Sequence, residues 1–504
     1  MTNHANPPDE LAHVGQVRHW TLLSADEMHW SAHGIFHVLV VLSGGVGDAV
    51  RGPAAETYAA LAQRQHAKGA QASSLGFEPL IGMTPQGVLI SWLWLAGADS
   101  TFARVTRTRQ ALQALLDEKP TSLAVWCADA GVLDSAVDLL WTVTLNTDNL
   151  PNYRKDKRPT PCFLYWQGHQ PTPRDMRVAC ELAAANSLTR ALTLLPPNRL
   201  EPAHYRAWIE RMAAQEGWSC TTFDVAQLER LGAGAFLAVA RGSANADAAI
   251  VCLRHRSPRA ERTVALVGKG ICFDTGGVNL KPAKFMWDMH GDMNGSAVAL
   301  ALLQVLSRLD VPLNVDVWLA LAQNAVGPAS YRQNEVLTTL AGVTLEVVHT
   351  DAEGRLVLAD ALTLAAREAP DLIVDFATLT GSMQTALGTR YSGAFVRPEG
   401  MRQLVEGAGL SSGERMWVFP QDEDYDAALE SKVADVKQCT LDSDADHILA
   451  VRMLGRFCAG IPWVHVDLSA SMHEGGLGAV ASEVTGFGVR WGLEFLDKWR
   501  IDPV

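Results

Sequence analysis

Lys269, Asp274, Lys281, Asp292, Asp351, Glu353 and Arg355, seven ionisable side chains in or just after two short stretches, could together make a metal site. The first stretch runs Val267-Gly268-Lys269-Gly270-Ile271-Cys272-Phe273-Asp274-Thr275-Gly276-Gly277, and Lys281, Asp288 and Asp292 follow it. Glycines let a backbone turn closely around a site, and Asp274 and Asp292 offer hard oxygen ligands. A phosphate-binding loop is excluded because the GxxxxGK[ST] spacing is missing. The second stretch is Thr350-Asp351-Ala352-Glu353-Gly354-Arg355. If it is extended, alternation points Asp351 and Glu353 to one side. Arg355 would then lie beside the carboxylates, where its charge could bind an anion or a developing oxyanion. One such acidic pair is ordinarily a helix cap or a solvated turn. Four carboxylates and two lysines in two Gly-bounded loops after strands raise a metal site to a serious competitor of that ordinary reading.

The elements that must position these groups read as alternating strands and helices. Thr263 to Val267 is an apolar, β-branched strand leading into the first stretch, and Gly295 to Leu309 has helical periodicity. Val315 to Leu321, Leu345 to His349 and Leu372 to Phe376 read as strands, and Leu356 to Arg367 as a helix. This pattern predicts an α/β catalytic domain with a mixed central sheet flanked by helices, its ligands bound where strands meet the following loops. Upstream, strands are expected over Ile35 to Leu42, Val88 to Leu95 and Leu123 to Cys127. Helices are expected over Ala54 to Ala67 and Thr106 to Leu116, making a smaller α/β domain. Asp148 to Pro161 reads as an exposed connection, with Lys155-Asp156-Lys157-Arg158 a solvated charge run, and Asp175 to Leu192 as a helix ended by Pro196-Pro197-Asn198. The expected division is an N-terminal accessory domain over 1–170 and a linker helix with the catalytic domain over 171–504.

Composition narrows the class. The 504 residues are 48% hydrophobic and 19% charged, which suits large cores and excludes a disordered chain. Forty-two Lys plus Arg against fifty-five Asp plus Glu give a net charge of -13, which gives nucleic-acid binding no support. Eight cysteines without a CxxC pair fit a reducing compartment better than a disulfide scaffold or a zinc ribbon. Met1 to Trp20 lacks the basic-then-apolar pattern of a signal peptide, and Ile35 to Leu42 is too short to span a bilayer. A cytoplasmic protein without membrane or nucleic-acid partners is expected. Cys272, beside Asp274, reads as a packed thiol rather than a nucleophile.

Several spaced motifs in order resemble the leucyl aminopeptidase family, also called cytosol aminopeptidases. They are VGKGICFDTGG, the downstream Lys281 and Asp292, TDAEGRLVLADALTLA from Thr350 and DFATLTGSMQTALG from Asp375. The resemblance covers roughly residues 185 to 500, including Tyr331 to Thr338 and Trp463 to Arg490, whereas the first 170 residues match only in general character.

The resemblance implies two divalent ions per subunit, Mn or Zn with Mg as another candidate. Asp274, Asp351 and Glu353 would hold one; Lys269, Asp274, Asp292 and Glu353 would hold the other. Lys281 would polarise the scissile carbonyl or stabilise the oxyanion, and Arg355 would hold a bicarbonate that relays the water proton. Met289, Thr378, Leu379, Gly381, Ser469 and Met472 would form the pocket for the first residue, with Thr380 beside them. Such a pocket suits Leu, Met and other apolar side chains at the free N-terminus of a short peptide. A homohexamer with interior-facing sites is also implied. Departures from the family pattern are His349 before TDAEGR, His290 after Met289, Asn294 and Ser469; none removes an expected ligand. The alternatives are a narrow dipeptidase, such as a Cys-Gly hydrolase, and a nonenzymatic scaffold or nucleic-acid-binding regulator.

Overall fold

The structure is a computed structural model in which residues 14–23, 30–43, 57–61, 63, 79–95, 97, 99–155, 163–442 and 444–502 are described. Among them, strands form sheets of six, eight and three members. The six-stranded sheet has the order Trp20–Leu22, Phe163–Gly168, Ser122–Cys127, His37–Leu42, Leu89–Trp94, Leu80–Met83. Its pairs are parallel except at Leu80–Met83, which runs antiparallel on one edge. The three upstream strands are therefore present, and the second helix extends over Thr101–Asp117, N-capped by the Ser100 hydroxyl. The helix expected over Ala54 to Ala67 and the charge run at 156–158 fall largely outside the described residues.

The eight-stranded sheet runs Met416–Val418, Ser392–Arg397, Trp463–Asp467, Leu372–Ala377, Thr263–Asp274, Asn314–Asn324, Ala249–His255, Ser219–Asp224. Its four central strands, from Trp463–Asp467 to Asn314–Asn324, are mutually parallel, and both flanks turn antiparallel. Parallel strands covered on both faces need apolar residues at nearly every position, and the buried run Val264 to Cys272 meets that need. Alternation then divides the cores. Val264 and Leu266 pack with the Pro173–Leu194 and Asn294–Arg308 helices, while Ala265 and Val267 pack with Glu353–Arg367.

Two expectations are corrected. Leu345 to His349 does not join the central sheet: Thr344–Glu346 forms a small sheet with Val336–Thr338 and Val436–Lys437. Nor is Lys269 to Asp274 a loop after a strand, because the Thr263–Asp274 strand continues through it. The glycines at 268 and 270 mark close approach. A Cβ on Gly268 would lie 2.5 Å from Ser296 Cα, and one on Gly270 would lie 2.9 Å from the Ala320 carbonyl oxygen.

The last helix, Val489–Ile501, starts against a buried carboxylate. Glu414 accepts from Gly488 N at 2.9 Å and Trp491 N at 2.7 Å. Burial nevertheless pushes its carboxyl up to about 7 despite those two donors. A raised acid pKa contributes stability at low pH that is lost as pH rises through the folded value. The wild type is expected to lose roughly 2–3 kcal/mol relative to Glu414→Gln between pH 5 and pH 8. Parallel denaturant titrations across that range check it, and a pH-independent difference would refute it.

Candidate metal centre

The carboxyl ends of three adjacent strands deliver the first groups. Thr263–Asp274 carries Lys269 and Asp274, Asn314–Asn324 ends on Asn324, and Leu372–Ala377 leads into Thr378. Directly after Asp274 the chain turns through Gly276 and Gly277 at φ +87° and +66°, a conformation that costs glycine little. That turn donates Gly276 N to Asp274 Oδ1 at 2.8 Å and returns Lys281 to the site. Asp292 arrives on the short helical turn Met289–Met293.

Asp351 and Glu353 do meet, but not by strand alternation. Ala352 caps the Glu353–Arg367 helix, so Glu353 is its first residue and Asp351 lies in the preceding turn. Ligand atoms of Asp274, Asp351 and Glu353 fall within 4.8 Å of one another. Gly354 is where this helix rests on the neighbouring strand: a Cβ there would lie 2.7 Å from Lys269 Cε.

Charge organises the centre. Lys269 Nζ, 3% exposed, lies 2.8 Å from Asp292 Oδ1 and 2.9 Å from Glu353 Oε1, and donates to the Thr378 carbonyl at 3.0 Å. Lys281 Nζ lies 3.0 Å from Asp274 Oδ2 and 2.7 Å from Asp351 Oδ1. Burial disfavours both ammonium groups, but the surrounding carboxylates outweigh it and shift both upward. Burial also pushes Asp274, Asp292 and Asp351 upward; Glu353 adds to it at Asp274, Lys269 opposes it at Asp292, and Asp274 adds to it at Asp351. Four carboxyl groups crowd two ammonium groups, so ionising all four together is disfavoured in the fold without a further cation. Asp292 Oδ2 is buried without a hydrogen-bond partner. Crowded, upward-shifted carboxylates with an unpartnered buried oxygen are the donor set that a divalent cation satisfies.

Some supporting residues went unread in the sequence. Asn324 Nδ2 reaches Asp274 Oδ1 at 2.8 Å, the Thr350 carbonyl at 3.0 Å and Glu353 Oε2 at 3.3 Å. Tyr331 Oη donates to the same carbonyl at 2.6 Å. Each is a single polar residue with no periodic signal of its own. Asp467, ending the Trp463–Asp467 strand, accepts from Leu379 N at 3.1 Å and Thr380 Oγ1 at 2.6 Å.

Most expected pocket residues follow neighbouring strand ends, Thr378 to Gly381 after Leu372–Ala377 and Ser469 to Met472 after Trp463–Asp467, while Met289 opens the Met289–Met293 turn. Met289, Thr378, Leu379, Ser469 and Met472 are half-buried and Gly381 is exposed. Thr378 also donates to Asp292 Oδ1 at 2.7 Å.

The departures have local accounts. His349 Nδ1 accepts from Asp351 N at 3.2 Å, and Ser469 Oγ donates to the Tyr391 carbonyl at 2.8 Å. Asn294 Nδ2 donates to Thr193 Oγ1 at 2.9 Å, and burial lowers the pKa of His290. Cys272 is buried, with its thiol shifted well upward by desolvation, as a packed group should be.

Arg355 does not present an open anion site. Its Nη2 donates to Asp446 Oδ1 at 2.9 Å and Oδ2 at 2.8 Å, and Nη1 donates to the Gln438 carbonyl at 3.1 Å. Its Nε is buried without a partner, and one hydrogen of Nη1 is left over as well. The expected bicarbonate does not fit beside a guanidinium already held by a carboxylate of the chain.

Comparison with known proteins places these residues in a family. The catalytic-domain model of the cytosol aminopeptidase family matches residues 187–492. A probable cytosol aminopeptidase of Chlorobaculum tepidum is 38% identical over 320 residues, which are 63% of this chain and 63% of that protein. The match therefore spans less than two thirds of that relative. One from Methylobacterium radiotolerans is 36% identical over 345 residues, 68% of this chain and 67% of its own length. Among solved structures, Bottromycin maturation enzyme BotP in complex with Mn superposes with a TM-score of 0.81 at 29% identity. That similarity covers 92% of this chain and 99% of the other.

Proposed function

Because this chain belongs to the cytosol aminopeptidase family, we propose that it is a metal-dependent aminopeptidase that removes the N-terminal residue, preferably Leu, Met or another apolar residue, from short peptides. The observation that carries this reading is the convergence of Asp274, Asp351 and Glu353 within 4.8 Å, with Lys269 and Lys281 bonded among them.

Asp274, Asp351 and Glu353 would hold one divalent ion, and Asp274, Asp292 and Glu353 the other, joined by Lys269 once the field of the bound cations displaces its ammonium proton to solvent. Bound there, the ions supply Lewis acidity, lower the pKa of a water and anchor the free α-amine. The Mn of the solved neighbour makes Mn the first ion to try, with Zn and Mg next. Asn324 holds Asp274 and Glu353 in register through its amide hydrogens. Lys281, its side chain 15% exposed, offers a cationic donor to the oxygen of the scissile carbonyl. Met289, Thr378, Leu379, Gly381, Ser469 and Met472 line the pocket for the departing first residue.

We assign residues 1–170 as an accessory domain and 171–504 as the linker helix and catalytic domain, and the assembly as a cytoplasmic homohexamer. Among the described residues, no helix is long and apolar enough to cross a membrane.

The function is tested with unblocked and N-acetylated peptides beginning with Leu, Met or Cys-Gly, after chelation and after return of Mn²⁺ or Zn²⁺. Metal-restored cleavage confined to unblocked Leu and Met peptides is expected. Cleavage of Cys-Gly alone selects the narrow dipeptidase, and no cleavage by folded, metal-loaded protein overturns the enzyme reading.

A further inference from the structure

Arg355 is 2% exposed, and a buried guanidinium requires a matching anion. That anion comes from the chain. Asp446 is the first residue of the Asp446–Leu454 helix, where a negative side chain also complements the helix dipole. Both its oxygens accept from Arg355 Nη2, while Nη1 is taken by the Gln438 carbonyl. The buried Gln438 side chain ties this arrangement to the centre. Its Nε2 donates to the Ala352 carbonyl at 2.8 Å, and its Oε1 accepts from Val348 N at 3.1 Å and His349 N at 3.3 Å. The segment leading to Asp351 and Glu353 is thus joined through one glutamine to the Arg355–Asp446 pair. Two N–H groups are left over, one at Nε and one at Nη1, and because they do not share an edge of the guanidinium they cannot cradle a second oxyanion in bidentate fashion.

We propose that Asp446 is the resident anion of Arg355, standing in for the bicarbonate that the family resemblance implies, so that this protein works without bicarbonate. The proposal rests on the aminopeptidase reading for its kinetic consequence only; the closed anion site is a binding property. Asp446 acts here by occupying and orienting Arg355, as a positioning residue.

The test compares the wild type with Asp446→Ala and the shape-conserving Asp446→Asn. Melting temperature is measured on metal-free protein in bicarbonate and in chloride at matched ionic strength and pH. Peptide hydrolysis is then followed in carbon dioxide-depleted buffer with and without bicarbonate. Wild type should show no bicarbonate-dependent melting shift and a rate unchanged within about twofold. Asp446→Ala should melt higher in bicarbonate, lose roughly tenfold or more in kcat without it, and regain most of that loss when it is added. Asp446→Asn, which fills the space without the charge, should lose rate and regain little. A wild type stabilised and accelerated severalfold by bicarbonate overturns the proposal. So does an Asp446→Ala protein at wild-type rate that ignores bicarbonate. If Asp446→Ala does not fold, the wild-type melting result and the Asp446→Asn rate decide it. A folded, metal-loaded wild type that cleaves no peptide defeats the aminopeptidase reading, and the melting measurements still decide the anion site.

Discussion

Asp274→Asn is expected to lose at least about a thousandfold in kcat/KM on unblocked peptides, while its metal-free form melts a few degrees above the metal-free wild type. Asp274 is assigned to both ions, so one substitution weakens both, and a thousandfold corresponds to about 4 kcal/mol of transition-state stabilisation. The opposite sign for stability follows from the same crowding. Burial and the Glu353 charge push the Asp274 carboxyl upward, so its ionised form is disfavoured in the metal-free fold. The neutral amide removes that repulsion, and its oxygen still accepts from Gly276 N and Asn324 Nδ2. Lys281 keeps its partner in Asp351. Elemental analysis of bound metal, steady-state rates and chelated melting curves together check the prediction. A variant that retains its metal and its rate would remove Asp274 from the site, and one that melts lower would mean its hydrogen bonds outweigh the repulsion.

Lys281→Met should separate catalysis from metal binding. The unbranched side chain is one atom shorter and loses its charge, so the carbonyl oxygen loses its cationic donor while the assigned metal ligands stay. The expected result is a fall of about a hundred- to a thousandfold in kcat, little change in KM and unchanged metal content. A raised KM at unchanged kcat would make Lys281 a binding residue only.

Much of this architecture could be read from residue types, and the places where reading failed share a cause. Thr263 to Val267 announced itself through β-branched and apolar residues, and Leu356 to Arg367 through helical periodicity, because both patterns are local. Gly268 and Gly270 misled for a local reason too: glycine suggests a turn, whereas here each lets a strand lie against Ser296 or Ala320. Sheet membership is not local. Thr344–Glu346 pairs with Val436–Lys437, and nothing within Leu345 to His349 tells that partner from the central sheet. The site followed the same division. Asp351 and Glu353 could be named from their spacing, but their meeting depends on a helix beginning at Glu353. Asn324 and Asp446 are lone polar residues at the ends of a strand and a helix, placed by contacts 29 and 91 positions away in the chain.

The Pro173–Leu194 helix is buried at every position from Leu182 through Thr193, and it packs against both Ala136–Asn146 and Asn294–Arg308. Arg190 donates to the Leu145 carbonyl and to Ser482, and Thr193 accepts from Asn294, just beyond Asp292. A helix covered by both halves of the chain belongs to neither alone. Cutting the chain near residue 170 would leave a long apolar flank facing water beside the turn that carries Asp292. Insertions, fusions and truncations near residue 170 are therefore expected to disturb the packing of this helix, and through it the turn that carries Asp292.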